Sequence, residues 1–562
     1  MNEHDRLLVQ DTMAKFDQLK TRRKPWESVW EEVARYVVPK RINMEVTDSR
    51  QAERAKEVYS SAAPQALALM CNGLIGYMVS RTTPWMRLRT EDNRLMEYSE
   101  VREYLQNVEE ALYGEFNRSN FYDVQNEIFH DGGGPGTACV HLDEDITRGR
   151  VNYVCRHPKE VFIAEDRFGQ VDTVFRRYQM TAKQIIEEFR SKGGDDDNRL
   201  DEDWVAQNKD RLYEPHTVIH AVYPRRERDV TKDDNGNKRY AVIYILEQGS
   251  KLLRESGLDE MCDVVWRWDK NSDEAYGRSP SWLALSDIKR ANRVAKDLTR
   301  LSEYTANPAV QFPSRLEYRL SLMPGGKNPY RDPNELIQPI KLGDYPVGHD
   351  RELQLTQSIR DAFFVDFFLG LQQVTKTMTV PEVLERQSEK ATVLSSVVGR
   401  IDSELLEPII DKTYAMATEA GRMPDVPDIL LDMGARVKIE FIGPLSQILL
   451  RNFSTQGLRR ALETALPYLQ VWPEMVDLID GDKLTKELLV SSGMPEKILR
   501  KEDEVAQIRQ ARAEQAAAKQ RQQELEALGK AAPGLNQQAN PGSILQQMTE
   551  GSREAVDGSN LN

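Results

Sequence analysis

SPSWLALSDIKRANRVAKDLTRLSEYTANP, residues 279–308, is the stretch that decides the fold. Ser279 is a capping residue, Pro280 suits the first helical position, and no breaker follows until Asn307-Pro308. The spacing predicts a helix about 40 Å long, because each residue rises about 1.5 Å. Ile288, Ala291, Ala295 and Leu298 recur at helical intervals, while Lys289, Arg293, Lys296 and Arg300 form a separate basic stripe. Such a rod needs a partner for its apolar face and leaves a cationic face over.

Outward from this helix, residues 311–349 lose helical periodicity and fill with Pro and Gly, among them Pro313, Pro324, Gly325, Gly326, Pro329, Pro333, Pro339 and Pro346. Helical pattern resumes from Arg351 to Leu371, pauses over Gln372–Val380, and returns from Pro381 to Gly421. Two long helices thus flank a compact irregular module, like an up-and-down stalk.

On the N-terminal side, residues 5–130 read as helices. Pro25 opens one whose Trp26, Val29, Trp30, Val33 and Val37 keep helical spacing until Pro39, and Pro64 opens another through Leu67, Met70, Leu74 and Met78. After Gly132 the pattern changes to short Val-, Tyr-, Phe- and Ile-rich segments: 137–142, 150–155, 160–164, 171–179, 216–223, 239–246 and 262–268. These read as strands, joined by turn signals such as Asp166-Arg167-Phe168-Gly169 and Asn235-Gly236. Thr181 caps a short helix ending near Arg190, and acidic Gly193–Asp203 reads as a surface loop. Residues 444–500 read as several short helices, 501–528 as a solvated helical arm, and 529–562 as a tail too polar to order alone. The fold class is α+β, predominantly helical.

With 562 residues the chain is long enough for several packed units, and its net charge of −14 excludes a broad basic DNA-wrapping surface. Four cysteines, Cys71, Cys139, Cys155 and Cys262, give no disulfide framework and suit a reducing compartment. The N-terminus is too charged for a signal peptide. The most apolar run, AFFVDFFLGL at 362–371, is about half the roughly 20 residues a membrane helix needs and contains Asp366, so it reads as a buried helix.

Catalytic motifs are sparse. HDGGGPGT at 130–137 lacks the Lys-Ser or Lys-Thr pair that closes a phosphate loop, and its glycines suit a tight helix-to-strand turn. Gly326-Lys327 fails the same test because Asn328 stands in place of the magnesium-binding hydroxyl. Asp269, Asn271 and Asp273 begin like a calcium loop, yet Glu274 occupies the required Gly and Pro280 the required Glu. Cys139-Val140-His141 and Cys155-Arg156-His157 place Cys and His on a shared strand face, but their spacing is not a zinc pattern, and core strands explain them more simply. No catalytic residue, metal or cofactor is expected.

A series of segments in order resembles the portal (head-to-tail connector) family of T7-like podoviruses. They are RRKPWESVWEEVARYVVP at 22–39, ALALMCNGLIGYMVSRTTPWMRL at 66–88, FHDGGGPGTACV at 129–140, EDRFGQVDTVFRRYQMTAKQIIEEF at 165–189, YGRSPSWLALSDIKRAN at 276–292, VPEVLERQSEKATVLSSVVGRIDSELLEPIIDKTY at 380–414 and FIGPLSQILLRNF at 441–453. The resemblance covers roughly residues 6–500. Asn307-Pro308 departs from it, since Asp is expected before that Pro.

The resemblance implies a portal-type subunit that assembles into a ring, commonly a dodecamer, at one capsid vertex. Double-stranded DNA passes through the ring, the terminase large subunit docks on it, tail adaptor proteins follow, and major capsid and scaffolding proteins surround it. Residues 1–278 would be the wing, 279–306 and 351–371 the stem helices, 307–350 the clip, 372–380 the channel loop, 381–443 a long helix with a return to the wing, and 444–500 the crown. Residues 501–562 would be a polar arm and tail. The protein would assemble in the host cytoplasm, reside in the virion, and meet no membrane. DNA-channel candidates are Thr375, Lys376 and Thr377, with Lys376 the single cation of the break QQVTKTMTV, and the stripe Lys289, Arg293, Lys296 and Arg300. That stripe suits either DNA phosphates or acidic helices of neighbouring subunits, and the break is either a channel loop or an ordinary inter-helix loop. The alternatives are a DNA-packaging enzyme and a helical scaffolding or internal virion protein.

Overall fold

The computed structural model describes residues 3–39, 58–92, 94–190, 198–225, 235–306, 310–311, 338–339, 346–373, 394–434, 436–446 and 508–519, with the single positions 485, 505 and 521. Among the described residues helices predominate, and antiparallel sheets join them. The chain divides into Met1–Phe453 and Ser454–Asn562. In the second unit, residues 508–519 are helical and exposed at every position after Ile508.

The first unit opens with helix α1, Glu3–Tyr36. Pro25 lies inside α1 and does not start a helix as the sequence suggests. An interior Pro costs about 3 kcal/mol, and packing on both sides of it offsets that cost. Phe16 packs against Phe162 and Phe175, Trp30 Nε1 donates to Pro135 O at 3.0 Å, and buried Arg23 donates Nη1 to the carbonyls of Pro158, Lys159 and Val161.

Helices α2 (Ala62–Met78), α3 (Ser99–Arg118) and α4 (Phe121–Gly133) follow, but strand β1, Met86–Thr90, interrupts the all-helical expectation for residues 5–130. Met86, Leu88 and Thr90 are buried while Arg87 and Arg89 alternate with them, the period of a strand. Its partner, β12 (Val437–Phe441), lies at the far end of the unit, so no local turn signal announces the pairing.

The seven expected strands are present as β2 (Thr137–Asp145), β3 (Arg150–Arg156), β4 (Val161–Glu165), β5 (Val171–Thr181), β6 (Pro215–Pro224), β7 (Tyr240–Leu246) and β9 (Asp263–Arg267). An eighth, β8 (Lys251–Leu258), went unrecognised because Lys251, Arg254 and Glu255 mask its alternation; each of them sits in an ion pair. The strands form two antiparallel sheets, one ordered β3-β2-β9 and one a simple meander β4-β5-β6-β7-β8. Between β5 and β6, Thr181 and Gln184 form a reciprocal capping box at the start of α5 (Ala182–Phe189), and α6 (Glu202–Gln207) follows.

The glycine run between α4 and β2 is a packing hub. A Cβ on Gly132 would strike the Trp266 ring, one on Gly133 would strike Leu67 and Met70, and Gly136, at φ +102°, lies against Gly277 O. Ser281 Oγ donates to Gly133 O at 2.6 Å, and Gly277 N–H donates to Thr137 Oγ1 at 2.9 Å. These glycines make the expected helix-to-strand turn and let five elements converge on it.

The deciding stretch is a short turn of helix, α7 (Pro280–Leu283), followed by α8 (Leu285–Ala306), with Ser279 Oγ accepting from Trp282 N–H. Ile288, Ala291 and Ala295 are buried, as their spacing predicts. α8 packs against α9, Pro346–Ala362, and Ser358 Oγ, near the end of α9, donates to Asp287 near the start of α8, so the pair is antiparallel. A two-residue ladder, β10 (Val310–Gln311) with β11 (Gln338–Pro339), stands between them in sequence.

Two boundaries differ from expectation. α9 begins at Pro346 and not at 351, and the helix expected through Leu371 breaks at Phe363-Phe364, where Phe364 sits at φ +54° before α10, Val365–Gln373. The break lets Phe363, Val365, Phe367 and Phe368 all bury, which one straight helix face does not allow. Gly73 leaves room for the Phe368 ring against α2. Asp366 is held by Arg360 (2.7 Å) and Gln357 (2.8 Å), which explains a carboxylate inside an apolar run.

Helix returns over residues 394–400, passes through a π-helical turn at Ile401–Leu406, and continues as α11, Glu407–Glu419. Pro408 cannot donate a backbone bond, and Glu407 N–H reaches back to Asp402 O, which is how the extra residue is accommodated. α12 (Asp428–Asp432) then leads into β12.

Candidate functional site

The basic stripe of α8 does not act as one surface. Lys289 Nζ lies 2.5 Å from Glu32 Oε2 of α1, and Lys296 Nζ lies 5.2 Å from the centre of the Tyr59 ring. Between them Asn292 Oδ1 accepts from the amides of Tyr59 and Ser60 at 2.7 and 3.1 Å. That side of α8 is therefore occupied by its own subunit. Arg293 and Arg300 are exposed and make no ion pair among the described residues, and Arg290, which sequence reasoning passed over, is exposed beside Asp287 at 3.7 Å. Arg290, Arg293, Asp297, Arg300 and Tyr304 follow one helical stripe of exposed residues, so the available face is rotated from the expected one. Burial alternation, more than charge spacing, was the signal that separates the two. Thr375, Lys376 and Thr377 lie outside the described residues, as does most of the expected clip and crown.

The Cys-x-His pairs are not brought together. Cys139 and His141 share one face of β2, but the register sets Cys155 opposite Val140, hence on the other face. Cys155 Sγ donates to Asp131 Oδ2 at 3.3 Å, and His157 Nδ1 accepts from Lys159 N–H at 3.0 Å. Burial pushes the Cys139 thiol far up, the reverse of what metal-binding thiolate requires.

Instead, His141 belongs to a buried electrostatic cluster between the two sheets. Arg156 Nη1 stands 2.7 Å from Asp263 Oδ1, close enough for an ion pair though not aligned as a hydrogen bond, and His141 Nδ1 lies 3.0 Å from the same oxygen. His220 stacks on Tyr244, ring centres 4.3 Å apart. Burial alone would raise the Asp263 carboxyl, but Arg156, with the His141 contact beside it, overcomes this and holds Asp263 below the usual carboxylate range. Burial, with Arg156 beside it, holds His220 neutral. Asp263, Arg156 and His220 are buried, while His141 keeps part of its ring at the surface and meets His220 of the other sheet, ring centres 6.4 Å apart.

A second cluster ties the sheets to the long helix. Arg267, almost fully buried, donates Nε and Nη2 to Glu404 at 3.1 Å each and Nη2 to Gly169 O at 3.1 Å, and it pairs with Glu165, which Lys270 also meets at 2.6 Å. The π-helical turn places Glu404 for this role. Further along, Arg422 joins Glu115 (3.2 Å) and Glu144 (2.9 Å), and Tyr153 and Thr413 hydroxyls meet at 2.7 Å. The result is a rigid frame carrying a pair of antiparallel helices whose arginines face out. Among the described residues no group of metal ligands gathers, and no helix is long and apolar enough to cross a membrane.

Residues 9–499 match a family described as bacteriophage head to tail connecting protein. The chain is 29% identical over 542 residues to the portal protein of Salmonella phage epsilon15, covering 92% of each chain. It is also 29% identical over 528 residues to the probable portal protein of Bordetella phage BPP-1, covering 90% of this chain and 92% of that one.

Proposed function

From the premise that this chain belongs to the bacteriophage head to tail connecting protein family, we infer that copies of it close into a ring at one capsid vertex through which double-stranded DNA enters and leaves the head. A portal role in phage DNA packaging follows from the family and its relatives; the ring, its dodecameric state and the parts played by each segment are our reading. Residues 1–278 form the wing, 279–306 and 351–371 the stem helices, 307–350 the clip, 372–380 the channel loop, 381–443 a long helix with a return to the wing, and 444–500 the crown. The terminase large subunit docks first and tail adaptor proteins later, within a shell of major capsid and scaffolding proteins.

The observation that carries the reading is the α8/α9 pair: a long antiparallel hairpin on a rigid frame, with Arg290, Arg293 and Arg300 exposed on one stripe in an otherwise acidic chain. A conduit must let a polyanion slide, and a continuous basic lining would hold it by counterion release. Isolated arginines repeated around a ring give loose phosphate contact without base readout. The same arginines meet acidic residues of the next subunit in the second arrangement open to them.

We assign the chain no chemical step of its own. The glycine run Gly132–Gly136 is packed against Trp266, Leu67, Met70 and Gly277, leaving no cradle for phosphate there. Heads assembled without this protein should contain no packaged DNA, and purified protein should not hydrolyse ATP. DNA-filled heads in its absence would overturn the portal reading, and intrinsic ATP turnover would restore the packaging-enzyme alternative.

A further inference from the structure

The outermost strand of a sheet presents unpaired N–H and C=O groups that template further pairing unless something blocks them. Most edges here are blocked. On β4, Val161 O accepts from Arg23 Nη1 at 2.9 Å and Ile163 N–H donates to Tyr276 Oη at 3.1 Å. On β8, Leu253 O accepts from Arg199 N–H at 2.7 Å, and Asn198 bridges to Arg254. On β3, Asn120 takes both main-chain groups of Tyr153, at 2.7 and 2.9 Å. On β9, Arg267 N–H donates to Glu404 at 3.1 Å, and the turn Ile401–Leu406 packs across the strand. On β1, the outward amides of Met86 and Leu88 donate to Tyr113 Oη and Glu109 Oε1 at 2.8 and 2.6 Å.

β12 is different. Ile442 N–H donates to Trp85 O and Glu91 N–H to Arg436 O. With the register Lys438 opposite Arg89 and Glu440 opposite Arg87, the main-chain groups of Lys438 and Glu440 turn towards β1, and those of Val437, Ile439 and Phe441 turn away. Among the described residues, nothing bonds those three outward positions. The segment leading into them also exposes Val426, Leu431, Met433 and Val437, by 39, 63, 63 and 44%. Apolar exposure concentrated in one short segment marks a contact surface.

We propose that the free edge of β12 accepts an extended segment from a second copy of this chain, which adds as a third strand and links neighbouring subunits; this rests on the ring reading above. A closed ring of identical subunits places the same neighbour on the same flank of every copy, so it covers this edge in all of them and leaves none over. A partner bound only late in assembly would leave the edge open as an aggregation template in the meantime. Main-chain pairing supplies the affinity, and the apolar side chains beside the edge supply the register.

The test is Val437→Pro in the full-length protein. Its amide points away from β1, so proline removes an outward donor without breaking an intrachain bond; Lys438→Pro, which does break one, is the comparison. We expect Val437→Pro subunits to melt close to wild type yet to need at least about tenfold higher concentration to form rings. Hydrogen exchange gives a second readout that does not depend on the variant folding: the Val437, Ile439 and Phe441 amides should be protected in wild-type rings and exchange in isolated subunits. Val437→Pro rings at wild-type concentration, or free exchange of those amides in wild-type rings, overturns the inference while leaving the ring intact. Protection appearing only when a capsid or tail protein is added gives the edge to an unlike partner and also overturns it. Wild-type protein that never forms rings overturns the reading beneath it.

Discussion

Gly136 and Gly277 face each other so closely that a Cβ on either would strike the carbonyl oxygen of the other. The contact locks the turn entering β2 to the loop that leads into α7 and α8, so the exposed helix pair inherits its direction from the sheets. Gly277→Ala should therefore lower stability by about 1–3 kcal/mol through overpacking. Gly136→Ala should cost more, since φ is +102° there as well. Calorimetry of the unassembled subunit checks both, and an unchanged melting temperature for Gly136→Ala would remove the hub from the account.

Arg156→Met should cost about 3–5 kcal/mol, because it strands the Asp263 carboxylate in the interior. Arg156→Met combined with Asp263→Leu should recover most of the loss. The Asp263 carboxyl is held below its ordinary value despite burial, chiefly by Arg156. The folded state thus binds that proton less readily than the unfolded chain, and the stability it contributes is present above the ordinary carboxylate range and lost as pH falls below it. Melting curves across acid pH should show wild type losing stability more steeply than the double variant; parallel curves would contradict this.

Asp402 titrates in the opposite sense. Burial, with Glu407 beside it, pushes its carboxyl up to about 7, and its Oδ1 has no hydrogen-bond partner among the described residues. The folded state holds that proton more tightly than the unfolded chain, so wild type loses stability as pH rises from about 4 to about 7. Asp402→Asn should gain over wild type by an amount that grows between about pH 4 and pH 7 and levels off above it, up to a few kcal/mol. A gain independent of pH would show that Asp402 is already ionised in the fold.

The charge variants separate the two sides of α8. Lys289→Ala, which removes an exposed pair with Glu32, should change subunit stability by no more than about 1 kcal/mol and leave packaging unaffected. Arg293→Glu with Arg300→Glu should leave the subunit fold intact and reduce DNA retention in filled heads if that stripe faces the channel, or weaken ring assembly if it faces a neighbour. Lys376→Glu should leave rings and terminase docking intact and impair packaging. Wild-type assembly and wild-type genome content in both the Arg293→Glu/Arg300→Glu and the Lys376→Glu variants would remove these residues from the channel.

Much of this fold was readable because its signals are local. Ser279-Pro280 and the buried trio Ile288, Ala291 and Ala295 placed α8, and Thr181 with Gln184 placed α5. What failed depended on distant partners. Pro25 reads as a start until Phe16 and Trp30 are seen to anchor α1 on both sides of it, and β1 reads as part of a helical region until β12 pairs with it. The break at Phe364 answers the need to bury four apolar side chains in different directions, which periodicity alone does not reveal. Charge spacing joined Lys289 and Lys296 to Arg293 and Arg300, because the sequence does not announce that Glu32 and Tyr59 come to lie beside the lysines.

Electron microscopy of the purified full-length protein, with its mass measured in the native state, tests the central claim most directly. Closed rings with an axial channel wide enough for duplex DNA, and a mass near the twelve subunits proposed above, are the expected result. A stable monomer at micromolar concentration, with no rings in the micrographs, would contradict it.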